Sequence, residues 1–549
     1  MGAKECPAGF APGCKNSLDV AEQENTMLIV KFVKGLLKLI SWVDLALGYI
    51  IHGIIAVIKG IYRSMTAQKE EPTHGDAAFD SDKELKEQGM LKPGGFLACV
   101  TRKRRKVYLP KDASLMIIAN KRQGKTQAVN ANLLDLRNRP WVTETIDVGG
   151  NHIKRRRQQL PDLVMYDPKL GTLKRTRTTL EGLGYRVLVI DIDNPENTEA
   201  WINPVTFLDI HDVYDFDRQN DVFADLLAAD AKHGKHSHFD NYPKIMIAGV
   251  IKYLLLKQPS QATVPHAVRL LVSSNESREA LFALMALVDD PIITAAVDSF
   301  RSAGDREKGS FITTNFEKMK VWLRPSICAI TEHRDAEGLL VNTFTWEQVF
   351  TDDAPVAVFI RCGLGTGEGA LVRLLIGCAI NSAKRMFNAT GDTPLRKGLW
   401  VIVDEAKTIG RCNALLDVNR ELGEAGVNLL VAYLSESDIK EEFQQDAEAL
   451  IGGCSLLVYG GSNEIGWLER VSKLLGKRTS YGRSESASQH GSSQGRSETP
   501  TNLRNADQVA SMGFMECILI VPGRAKVFGL KPFKLVKRLW RKTVVEFYQ

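Results

Sequence analysis

At 549 residues the chain is too long for one compact core, so two or three folded units with accessory segments are expected. A composition of 44% apolar and 25% charged residues excludes wholesale disorder. The net charge of +6, from 71 basic and 65 acidic residues, is too small to point to nucleic acid by itself. The nine cysteines are odd in number and scattered, with no CxxC pair. That pattern excludes a zinc ribbon or a disulfide framework and reads as reduced thiols in a cytosolic setting.

The first 26 residues are polar and charged, without the apolar core of a secretory signal. An apolar block follows from Met27 to Tyr62, but its longest stretch free of Asp, Lys and Arg, Leu45 to Ile58, has only 14 residues. A clean span needs about 20. Lys31, Lys38, His52 and Lys59 repeat on a seven-residue grid, which keeps them on one helical face opposite Leu, Ile, Val and Trp42. Residues 1–63 are therefore predicted as an amphipathic, membrane-associated helical segment with its lysines toward headgroups. Packing on the protein itself is the alternative. Residues 64–93 are polar and read as a linker.

Beyond Gly94 and Gly95, short runs rich in β-branched residues alternate with helical stretches. The runs are Leu115 to Ile118, Leu163 to Tyr166, Arg186 to Ile190, Val356 to Ile360, Trp400 to Val403, Leu429 to Tyr433, Leu456 to Tyr459 and Ile518 to Val521. They lack the alternation of half-exposed strands and predict buried, mostly parallel strands linked by helical crossovers. The fold class is thus α/β, a P-loop domain in two parts, 94–215 and 329–535. Residues 216–328 read as an all-α insertion between them. Thr479 to Thr499, rich in Ser, Gly, Arg and Gln, reads as a flexible loop. From Lys531 to Lys542 six residues are basic, and 536–549 is predicted as a solvated basic tail.

The chemistry centres on Ala119-Asn120-Lys121-Arg122-Gln123-Gly124-Lys125-Thr126, between an apolar run and a helical stretch beginning at Gln127. Backbone N–H groups at such a helix N-terminus cradle phosphates, Lys125 reaches the β/γ oxygens, and the Thr126 hydroxyl ligates Mg²⁺. Ala119 stands where the pattern usually has its first glycine. The second motif is the run ending in Val403-Asp404-Glu405. There Asp404 is expected to hold the Mg²⁺ shell and Glu405 to polarise the attacking water. Catalysis is thus placed on Lys125 and Glu405, nucleotide binding on 119–127, and metal binding on Thr126 and Asp404, with ATP and Mg²⁺ as cofactors. Arg102 to Lys106 and Lys154 to Arg157 could line a DNA channel or a hairpin surface. Any DNA contact is expected to be non-specific and to the backbone. His233, His236 and His238 sit in a polar stretch without a completing ligand, so a solvated loop is preferred over a metal site.

Between these motifs the chain reads Asp167-Pro168-Lys169-Leu170-Gly171, then Gly184 to Asp191, then Asn203-Pro204. With Asp404-Glu405-Ala406-Lys407-Thr408-Ile409-Gly410 and the late Leu475-Gly476-Lys477-Arg478-Thr479, this order resembles the type IV secretion coupling proteins of the TraG/TraD type. Gly423-Glu424-Ala425-Gly426 stands where that family usually has Arg-x-x-Gly. Ser435 to Ser437 stands where it usually has a glutamine.

The resemblance implies a RecA-like motor with an all-α domain facing the cytosol. It implies a homo-oligomer, a hexameric ring, at the cytoplasmic face of the bacterial inner membrane. It further implies that ATP drives a relaxase–DNA complex or effector protein toward channel components. A chromosome-type DNA translocase and a non-catalytic membrane receptor are the alternatives. The insertion carries no phosphate or Mg²⁺ ligand and is expected to select substrate.

Overall fold

The computed structural model describes residues 74–533 apart from 149–150, 213, 229–236, 303–318, 364–366 and 489–490, together with positions 31, 33–35, 53–55 and 57–58. The chain divides into residues 1–73 and 74–549. In the first unit the described positions are helical, and Val33, Ile54, Ile55, Val57 and Ile58 are exposed there. Among the described residues no helix is long and apolar enough to cross a membrane. The rest of the predicted amphipathic block lies outside them.

Among the described residues of the second unit there are fifteen strands. They are β1 Leu97–Val100, β2 Lys106–Tyr108, β3 Leu115–Ile118, β4 Trp141–Val148, β5 Asn151–Gln158, β6 Asp162–Tyr166, β7 Arg186–Asp191 and β8 Val356–Arg361, followed by β9 Leu399–Val403, β10 Val427–Tyr433, β11 Ser455–Tyr459, β12 Lys477–Ser488, β13 Gly491–Asn502, β14 Glu516–Val521 and β15 Ala525–Leu530. Eleven of them form one sheet in the order β2-β1-β15-β14-β11-β3-β10-β9-β6-β8-β7. From β11 to β7 neighbouring strands are parallel. From β11 through β14 and β15 to β1 and β2 they are antiparallel.

The strands at the centre of the large sheet are mainly apolar because helices cover both of its faces. Successive residues alternate between two cores: Leu115 and Ile117 pack into one, Met116 and Ile118 into the other. The helices Lys125–Asp135 and Gly171–Gly182 cover the first face. The long helix Gly369–Ala389 and the helices between β7 and β8 cover the second. Between Phe216 and Thr331 the described elements are all helical. They share a continuous core with the sheet, since Val164, Leu226, Ile251, Val268 and Trp322 belong to one cluster. Gly377 lets the long helix approach Leu226, where a Cβ would come within 2.4 Å of a methyl group.

Three expectations need correction. The loop predicted for Thr479 to Thr499 is the β12–β13 hairpin, paired from Lys477–Asn502 to Ser488–Gly491. A sequence made mostly of Ser, Gly and Arg carries no apolar signal, so composition alone does not mark it as strand. The predicted linker is folded from His74 onward. Ala77 donates to the Lys477 carbonyl, a capping box at Ser81 and Glu84 starts the helix Asp82–Glu87, and Leu85 and Met90 are buried. Lys531, the first residue of the basic run that ends at Lys542, is buried rather than solvated.

Candidate phosphate-loop site

The carboxyl ends of the parallel strands share one sheet edge, where α/β folds place their ligands. The loop from Ala119 leaves β3 there and enters the helix Lys125–Asp135 through Gly124, whose φ of 92° needs glycine. The helix has no side-chain cap, so its first N–H groups remain available to an anion. Arg122 also has a positive φ, 64°, a strained value for a residue with a side chain.

Thr126 and Asp404 meet although 278 residues separate them: the hydroxyl donates to Asp404 Oδ2 at 2.7 Å. The other Asp404 oxygen is buried and has no hydrogen-bond partner. Burial pushes the Asp404 carboxyl up to about 6, against the Thr126 hydrogen bond. A divalent cation would satisfy that orphaned oxygen and favour the ionised form. Lys125 is also buried and turns back on the loop, donating to Ala119 O at 2.9 Å. Burial lowers its pKa, while Glu405, Asp404 and Asp438 pull it back up. Glu405 follows Asp404 at the head of a short 3-10 turn, half-buried. The residues present therefore fit a magnesium nucleotide.

Neighbouring strand ends supply supports rather than ligands. Asp167, from the Asp-Pro-Lys stretch, accepts from the N–H groups of Gly171, Thr172 and Leu173 and fixes the start of the helix Gly171–Gly182. Asn203 accepts from Val205 N–H and donates to Ala262 O at 2.7 Å, tying the Asn-Pro turn to the helical region. Ser435 caps the helix Glu436–Phe443, where the family usually has glutamine. Lys407 pairs with Asp438 and Glu441.

The basic runs are largely paired. Arg105 lies 3.4 Å from Asp82, Lys106 is bonded to Asp135, Arg155 lies 3.6 Å from Asp353, and Arg157 pairs with Glu144. Lys154 and Arg156 are exposed on the other face of β5. Among the described residues no group of His, Cys, Asp and Glu could hold a metal ion on its own. His233 and His236 lie outside those residues. Sequence reasoning missed the second wall of the loop. Asn120 donates to Gly461 O at 2.5 Å and Lys531 to Gln123 O at 3.0 Å. The Gly460-Gly461 pair after an apolar strand was the available signal.

A doubly covered, mostly parallel sheet that carries this loop and an Asp-Glu strand end at its carboxyl side places the chain among the mixed α/β proteins. Residues 399–514 match the family described as the TraM recognition site of TraD and TraG. Three solved structures of the bacterial conjugative coupling protein TrwB share the fold. The unbound TrwBdeltaN70 form aligns with a TM-score of 0.58 at 15% identity, covering 85% of this chain and 97% of that one. The complex with the GTP analogue GDPNP gives 0.58 at 15%, covering 84% and 96%. The ADP and Mg²⁺ complex gives 0.57 at 14%, covering 83% and 96%. No curated protein sequence matches the chain. The resemblance to TraG/TraD-type coupling proteins is borne out.

Proposed function

We propose that this chain is an ATP-driven coupling protein that recruits a relaxase–DNA complex or effector and passes it to a type IV secretion channel. The observation that carries this reading is the meeting of Lys125, Thr126, Asp404 and Glu405 at one sheet edge. The 119–127 loop would hold the phosphates. Thr126 and Asp404 would hold Mg²⁺, which neutralises phosphate charge when bound. Lys125 would leave its loop carbonyls for the β/γ oxygens, and Glu405 would orient water.

The chain is proposed to act as a homo-oligomer, a hexamer, at the cytoplasmic face of the inner membrane. Its DNA contacts would be to the backbone. The matched segment, named for TraM recognition in TraD and TraG, is the proposed dock for a relaxosome partner. Phosphate release by purified protein, with and without DNA, tests the motor. Lys125→Ala should abolish turnover by removing the phosphate counter-charge, and Glu405→Gln should bind ATP without hydrolysing it. Wild-type rates in both variants overturn the reading.

A further inference from the structure

The chain continues from β15 into Lys531, Pro532 and Phe533, which lie against the phosphate loop. Lys531 is 2% exposed. Its ammonium lies 4.0 Å from the Tyr459 ring centroid, 4.7 Å from that of Phe514 and 5.6 Å from that of Phe533. Aromatic faces attract a cation but cannot replace the hydrogen bonds it lost to burial. Those bonds go to the loop: Nζ donates to Gln123 main-chain O at 3.0 Å and to its Oε1 at 3.2 Å. Phe533 covers Gly124, where a Cβ would come within 2.1 Å of the ring.

A methionine or leucine would fill such an aromatic box without the desolvation of an ammonium. What only the cation adds is its grip on Gln123. The peptide between Gln123 and Gly124 is planar and trans, so holding the carbonyl toward Lys531 turns the Gly124 N–H the opposite way. Asn120 is held by Gly461 O. The loop is therefore braced at both ends from late in the chain, although it lacks the first glycine and carries Arg122 in a left-handed conformation.

We infer that Lys531 is a positioning residue for nucleotide binding: its ammonium presets the Gln123–Gly124 turn, and Phe533 walls the loop at Gly124. This rests on the proposed reading of the loop as a nucleotide site. Burial pushes the Lys531 pKa down to about 8, while the Cys517 thiol on β14 works in the other direction. Among the described residues the Tyr459 ring on β11 faces it, and Cys517 in turn neighbours Glu516 on β14 and Cys99 on β1.

The test is titration of the full chain with a fluorescent ADP analogue and Mg²⁺ from about pH 6.5 to 9.5. KM and kcat for ATP are measured alongside. Wild-type affinity should fall as pH rises through the lysine's lowered pKa. Lys531→Met should bind about tenfold more weakly near neutrality, a loss of one hydrogen-bonded charge. It should also lose that pH step and raise KM with little change in kcat. Lys125 is present in both proteins, so a pH step lost in the methionine variant reports on Lys531. Lys531→Arg should restore neutral-pH binding and move the fall to higher pH, which also serves if the methionine variant does not fold. Identical profiles in wild type, methionine and arginine variants overturn the inference alone. A wild type that binds no nucleotide overturns the proposed function with it.

Discussion

At the residue scale, Asp404 carries opposing demands. Its carboxylate suits a divalent cation, yet burial disfavours the charge and leaves one oxygen unpartnered. The folded pKa, about 6, lies above the ordinary carboxyl value of 3.8, so between the two the folded chain binds a proton that the unfolded chain has released. Nucleotide-free stability should therefore rise as pH falls through about 6 and drop as pH rises through it. The size is on the order of 3 kcal/mol. Magnesium-nucleotide affinity should run the other way and weaken below about pH 6, because a protonated carboxyl is a poor ligand. Asp404→Asn separates the two effects. It should melt higher than wild type above neutrality without ligand, while losing the melting increment that Mg-ADP gives wild type. A variant that melts lower at every pH and still gains from Mg-ADP contradicts this account.

At the element scale, the sheet is pinned at the edge opposite the phosphate loop by a buried ion pair. Lys397 lies 3.0 Å from Asp162 at the start of β6 and donates to the carbonyls of Val349 and Ala354. Asp162 also accepts from Val356 N–H at the start of β8. Burial lowers the lysine and raises the carboxyl, so each needs the other. Asp162→Ala leaves an ammonium without its anion and should cost roughly 3 kcal/mol in urea unfolding. Lys397→Met should cost less, because a protonated Asp162 keeps its Val356 bond. Nucleotide affinity should be unchanged in both.

The eight β-branched runs were legible as strands because each is buried on two faces. The hairpins β4–β5 and β12–β13 were not, since solvated strands show no apolar run and β12–β13 is mostly Ser, Gly and Arg. At the site, Lys125 with Thr126 and Asp404 with Glu405 were legible because each pair stands in its own short motif, although 278 residues separate Thr126 from Asp404. Lys531 and the brace from Asn120 to Gly461 were not, because the partners lie 408 and 341 residues apart.

At the scale of the molecule, the helical region is part of the core, so removing 230–326 would strip Ile251, Val268 and Trp322 from the cluster that backs the sheet. That deletion should unfold the chain rather than leave a nucleotide-binding remnant, which circular dichroism would show directly. The N-terminal side behaves differently. A chain beginning at His74 keeps every contact described for the second unit and should bind nucleotide as the full chain does. One beginning at Gly94 would lose the Ala77 bond to Lys477 O and the Asp80 acceptor of the Lys526 N–H. It would also lose Leu85 and Met90 from the core beside Phe96 and Val107. Each of those side chains contributes about 1.5–3 kcal/mol when fully buried. The polar composition of 74–93 hides this, because a few scattered apolar side chains, one capping box and hydrogen bonds to distant strands do its anchoring. Thermal unfolding of the two truncations decides the point: the Gly94 start should melt several degrees below the His74 start. Equal melting temperatures would mean that residues 74–93 are a linker after all.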